Sequence, residues 1–217
     1  TASMAFAMRK LRENGADGDV RMMQGDLLNL PAALVAEAPF DFIEVGGVLH
    51  HLPEPGPMAG WRNLEALLRP GGAMLVALYS SIARDLHVNE CRDLARKGGY
   101  VASSPASLRE YREAVYSKAQ LQTKWAKEIM ESPDFASLSG LRDLCFHVQE
   151  TQYTMLEIEQ MISELGLRWV QMAETVSEAK QALFRREIGV SPFGPEATPA
   201  KWHAFEGRYP TTFLGMY

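Results

Sequence analysis

"FDFIEVGGVLHHLPEPG" (residues 40–56) begins as an apolar β-strand and ends as something else. The run from Phe40 to Val45 is short, apolar and bounded by turn residues, which predicts a strand covered on both faces. Gly46 and Gly47 then leave the backbone bare, either for the close approach of another group or for a bulge. His50 and His51 follow, and prolines stand at 53 and 55. Downstream, Met58, Trp61, Leu64 and Leu68 recur at helical spacing, Arg69 falls in the last turn, and Pro70-Gly71-Gly72 stops the helix. "AMLVALYS" (73–80) is a second continuous apolar run. Strand, helix, strand with short connections is a βαβ unit, so the expected sheet is parallel with helices packed outside it.

On the N-terminal side, Met4, Ala5, Met8 and Leu11 predict a helix stopped by Gly15. "DVRMMQGDLLNLP" (19–31) predicts a strand leaving through Gly25 and Asp26 into a loop. On the C-terminal side a helix is expected from about Ile82 to Gly98. Ser104 and Pro105 cap and open another, and residues 105–150 read as helical with no strand candidate. "TMLE" (154–157) is a capping box. Ile158, Met161, Ile162 and Leu165 form the stripe of its helix, and Gly166 ends it. "LRWVQMAE" (167–174) predicts a strand, 189–199 a loop, and "PTTFLGMY" (210–217) a last strand.

Bulk properties bound the function. The chain has 217 residues, 47% of them hydrophobic and 23% charged, enough to bury a core. A net charge of −5 with no basic stripe argues against nucleic acid as a partner. No window of 18 apolar residues predicts a membrane span, and the N-terminus lacks a secretory layout. Two cysteines, Cys91 and Cys145, are too few for a disulfide framework, which points to a reducing, cytoplasmic setting. The chain starts at Thr1 inside a helical pattern and ends at Tyr217 in an apolar run, so a piece of a longer protein is expected.

The chemistry-bearing residues each carry two readings. Asp26, at the end of a strand, either accepts a hydrogen bond from an exocyclic amine while the N–H of Leu27 meets a ring nitrogen, or caps a turn. His50 and His51 are adjacent, so their side chains diverge and no metal site is expected; Cys145 and His147 add no second half of a zinc site. The pair reads as structural histidines or as a base lining a substrate pocket. "LRDLCFHVQE" (141–150) gathers Arg142, Asp143, His147, Gln149 and Glu150. Asp143 and His147 are helical neighbours there, and the segment is either a tied-down helix end or a polar lid. Tyr79, at the end of its strand, faces the same cleft.

Taken together, "MQGDLLNLP", the FD-start strand ending in VLHHL, and the LRPGG turn into "AMLVALYS" resemble the second half of a class I S-adenosylmethionine-dependent methyltransferase, of type 11 or 12. The downstream "RDLCFHVQE" and "PTTFLGMY" are similar to a bacterial subgroup sometimes joined to tetratricopeptide repeats. The resemblance implies an α/β fold: a Rossmann-like, doubly wound, seven-stranded sheet with a helical substrate-side insertion. It divides the chain into cofactor-binding core (1–80), helical cover (81–153) and final helix and strands (154–217). It implies S-adenosyl-L-methionine as cofactor, with Asp26, Leu27, Val45 and Gly46 binding it. His50 and His51 become the catalytic candidates, and Tyr79, Arg142 and His147 the substrate contacts, for an acceptor of unknown class. The family's first strands and glycine-rich turn have no counterpart in 1–217, so the chain alone is expected to be impaired. A non-enzymatic interaction module on the same fold is the alternative; a nucleotide-dependent reductase is a third, which the LRPGG turn disfavours.

Overall fold

The structure is a computed structural model that describes residues 2–53, 56–147, 149–173, 176–213 and 216–217; side chains at 2 and 85–87 lie outside the description. In chain order the elements are α1 (Ala2–Glu13), α2 (Ala32–Val35), β1 (Phe40–Gly46), α3 (Pro57–Glu65), β2 (Leu68–Ala77), α4 (Ser81–Lys97), α5 (Pro105–Gln120) and α6 (Lys124–Glu131). They continue with α7 (Leu138–Phe146), α8 (Met155–Glu164), α9 (Glu178–Ile188) and α10 (Pro199–Arg208). One 3₁₀ turn, Leu49–His51, follows β1, and another, Pro133–Ala136, precedes α7.

The βαβ unit is present. β1 and β2 are parallel, with Ile43 beside Met74 and Val45 beside Val76, and these four side chains face the main core. The first correction concerns the other face. Phe42 and Leu75 point away from the core and stay 55% and 38% exposed, so the sheet is covered on one side only among the described residues. The second concerns the junction. Leu68, Arg69 and Pro70 belong to β2 rather than to the preceding helix, because Phe40 pairs with Leu68 and the Phe40 N–H donates to the Leu67 carbonyl at 2.8 Å. That pairing captures the backbone that a further helical turn would need.

Three expected strands are absent from the described residues. Residues 19–30 are irregular apart from a bridge between Asp26 and Asn29 and do not pair with the β1–β2 sheet. Residues 167–173 form no strand; with residues of β2 they line a cleft of about 690 Å³. Glu174 lies outside the described residues. The C-terminal run makes one bridge, Met216 with Tyr79, supported by the Tyr217 N–H on the Leu78 carbonyl at 2.9 Å; Leu214 and Gly215 are not described. Helices α9 and α10 were not read from the sequence. α10 supplies Trp202, which stacks on Phe184 of α9 at 4.0 Å, and Phe205, which meets that ring edge-on at 5.1 Å; all three are fully buried in the core.

Two apolar clusters organise the packing. One joins residues of β1, α3 and β2 to Tyr153 and to α8, α9, α10 and Tyr217. The other is built within residues 88–146, from α4, α5, α6 and α7. Local signals explain the helix starts: Ser80, Ser104, Ser137 and Thr154 each accept the backbone N–H three residues on, and Thr154 with Glu157 completes the capping box. No described helix is long and apolar enough to cross a membrane.

Candidate functional site

The end of β1 is open. A side chain built on Gly46 would meet only the Ala77 Cβ, at 4.0 Å, so the space above the backbone is empty. Gly47 has φ +71°, a left-handed conformation that glycine adopts without strain. Val45 is buried and turned into the core, so a ligand at this point meets its backbone and not its side chain.

Asp26 is exposed and its Oδ1 accepts the Leu28 N–H at 2.9 Å, a turn that its short side chain favours. Its second oxygen makes no hydrogen bond among the described residues. The Leu27 side chain packs on the main core, and its carbonyl accepts from Asn63 Nδ2 at 2.7 Å. The loop is thus tied to α3, the helix that returns from β1.

A strap of residues 149–153 joins the helical cluster to the ends of both strands. The Thr151 N–H donates to the His50 carbonyl at 2.8 Å, the Tyr153 N–H to the Tyr79 carbonyl at 2.8 Å, and the Ser81 N–H to the Tyr153 carbonyl at 2.8 Å. Glu150 is the anchor. Its carboxylate takes a two-pronged contact from Arg84 (Nε 2.7 Å, Nη2 2.6 Å), a third bond from Arg92 at 2.7 Å and a fourth from Gln152 at 2.9 Å. Only 1% of the Glu150 side chain and 4% of Arg84's reach solvent. Burial by itself would raise the Glu150 carboxyl, but the hydrogen bond and charge of Arg84, with Gln152 and Arg92, hold it below its usual range.

Above the anchor lies a chain of rings. The Arg84 guanidinium covers the Tyr79 ring at 3.8 Å, Tyr79 meets His50 at 3.9 Å, His50 meets His51 at 4.3 Å, and His51 stacks on His147 at 3.8 Å. His50 is fully buried and neither ring nitrogen makes a well-formed hydrogen bond. Its pKa falls to about 4, first through burial and then through the neighbouring His51 charge, so it is neutral at ordinary pH. His51 is half-buried, and its Nδ1 lies 2.9 Å from the Gln149 carbonyl. That carbonyl can only accept, so Nδ1 carries the hydrogen and Nε2 keeps a lone pair.

The five residues expected at the acceptor side separate as follows. His50, His51, Tyr79 and His147 come together in the ring chain. Arg142 points elsewhere, with its Nε on the Ala102 carbonyl at 2.9 Å, and lines a surface hollow of about 320 Å³ with Asp143, Phe146 and His147. One nitrogen of His51, one of His147 and an Asp143 oxygen lie within 4.8 Å of one another. Two imidazoles 26° from parallel direct their in-plane lone pairs side by side and not toward a common point. The Gln149 N–H also reaches the His147 Nδ1 at 3.3 Å. This geometry suits a ring stack better than an ion.

Sequence reasoning missed Arg84, Arg92 and Gln152. Arg84 and Arg92 are two helical turns apart on α4, a same-face pair of cations facing the acid in "HVQE", and that spacing was the available signal.

Residues 1–76 match the family described as methyltransferase domain. An uncharacterized protein from a Synechococcus species is 26% identical over 178 residues, which covers 77% of this chain and 40% of that protein. The matched stretch thus covers less than half the length of that curated relative.

Proposed function

We propose that this chain, whose residues 1–76 match a class I S-adenosylmethionine-dependent methyltransferase domain, carries the adenine side of a cofactor site and the acceptor side of a methyl-transfer site. Asp26 and the Leu27 N–H receive the adenine edge, the bare backbone at Val45–Gly46 takes the methionine portion, and the ring chain borders the acceptor. The cofactor supplies the activated methyl group; the protein aligns it and excludes water.

The observation that carries the acceptor side is the hydrogen bond between His51 and the Gln149 carbonyl. It fixes one tautomer and leaves Nε2 as a base, and Nε2 makes no hydrogen bond among the described residues. A base is needed only where the acceptor must shed a proton, so the reading favours an acceptor hydroxyl, thiol or protonated amine. His50, neutral and enclosed, positions the 3₁₀ turn from behind. Tyr79 and His147 hold His51 between core and cover.

Calorimetric titration with S-adenosylhomocysteine tests the cofactor half. Saturable binding that weakens in Asp26→Ala and persists in His51→Ala supports the assignment. Equal binding in wild type and Asp26→Ala would remove Asp26 from it.

A further inference from the structure

The chain has two cysteines, and the fold brings them together. Cys91 belongs to α4 and Cys145 to α7, 54 residues later, yet their sulfurs share a thiol hydrogen bond of 2.8 Å. Both are buried, with 0% and 2% of their surface exposed, in the helical cluster among Val88, Tyr111 and Leu144. The Tyr111 hydroxyl donates to the Cys91 carbonyl at 2.9 Å and holds that turn of α4 in place. Chance alone gives no reason for two buried thiols on different helices to touch.

We propose that Cys91 and Cys145 are a modification site: a dithiol that a small peroxide converts to an intramolecular disulfide locking α4 to α7. The step balances. One thiol of the pair gives up its proton and attacks a peroxide oxygen as thiolate; the O–O bond breaks, the sulfur becomes a sulfenic acid, and the other oxygen leaves as water by taking up that proton. The second sulfur then attacks the first, the S–OH bond breaks, and a second water departs with the second thiol's proton. Two thiols are oxidised by two electrons in total and one hydrogen peroxide is reduced to two waters.

Whichever thiol of the touching pair loses its proton attacks, and the other resolves. Because both are covered, the oxidant must be small; the disulfide of glutathione is excluded by size. The cross-link would close a loop holding α5 and α6, and would fix the helix carrying Arg84 and Arg92 against the helix that leads to His147.

Hydrogen peroxide on the purified full chain is the test, read by intact mass and by maleimide labelling after unfolding. The expected product is monomeric, about 2 Da lighter, unlabelled until reduced, and yields a peptide joining 91 to 145. Its melting temperature should exceed that of the reduced chain by about 5–15 °C. Cys145→Ser and Cys91→Ser should each give no cross-link, and at least one of them should trap a dimedone-reactive sulfenic acid on the remaining cysteine. Two labelled thiols after treatment, a sulfinic acid without a cross-link, or a disulfide between two chains would each overturn the proposal.

Discussion

His51 Nδ1 and the Gln149 backbone oxygen, 98 residues apart in sequence, meet at 2.9 Å where the strap crosses the end of β1. A carbonyl oxygen is a fixed acceptor, so the contact decides which nitrogen of His51 is basic. His51→Ala should therefore lower methyl transfer to a proton-bearing acceptor by about 10²–10⁴-fold. Affinity for S-adenosylhomocysteine should be unchanged, because the base does not touch the cofactor in this reading. Parallel loss of both would place His51 in the cofactor site instead.

Glu150 holds two arginines, of which Arg84 is buried with it and Arg92 is partly exposed. Glu150→Gln leaves buried guanidinium charge without its counter-ion and should cost about 3–5 kcal/mol, measured by urea unfolding. The carboxyl is held below its unfolded value, so its contribution is complete above the ordinary carboxylate range and is lost as pH falls through the folded value. Wild type should lose stability there, and the Gln variant should show a flatter acid limb.

His50 gives a second, separate pH window. Its folded pKa of about 4 lies below the unfolded value of 6.5, so the unfolded chain binds more protons between those limits. Stability should fall as pH drops from about 6.5 to 4, by up to about 3 kcal/mol. His50→Phe removes the titrating ring without stranding a hydrogen-bond partner. It should keep neutral-pH stability within about 1 kcal/mol and abolish this slope. A slope that persists in the variant would assign it to other groups.

At the capping box of α8, the Thr154 hydroxyl accepts the Glu157 N–H at 3.2 Å while the Glu157 carboxylate accepts the Thr154 N–H at 2.7 Å. Thr154→Ala should destabilise by about 1 kcal/mol, visible as a lower urea midpoint with unchanged slope. A change in slope would mean that α8 does more than pack.

The sequence made the βαβ unit legible because Phe40–Val45 and Ala73–Ala77 are apolar runs separated by one helix, and the capping residues Ser104 and Thr154 marked α5 and α8. It misjudged 19–30 and 167–173 because an extended apolar pattern becomes a strand only when a neighbouring edge takes its hydrogen bonds, and that edge is a tertiary fact. In the candidate site, His50, His51, Tyr79 and His147 were visible as residue types clustered near strand ends. Glu150 was visible too, but not its partners. Arg84 on α4 reads as an ordinary helical cation until the strap returns 66 residues later to meet it.

The most direct measurement is an amide NMR titration of the full chain with S-adenosylhomocysteine, which registers binding even at millimolar strength. The account predicts shifts concentrated at Asp26–Leu28 and Val45–Gly47, reduced in Asp26→Ala. A folded sample with no shifts, or with shifts confined to other segments, would contradict it.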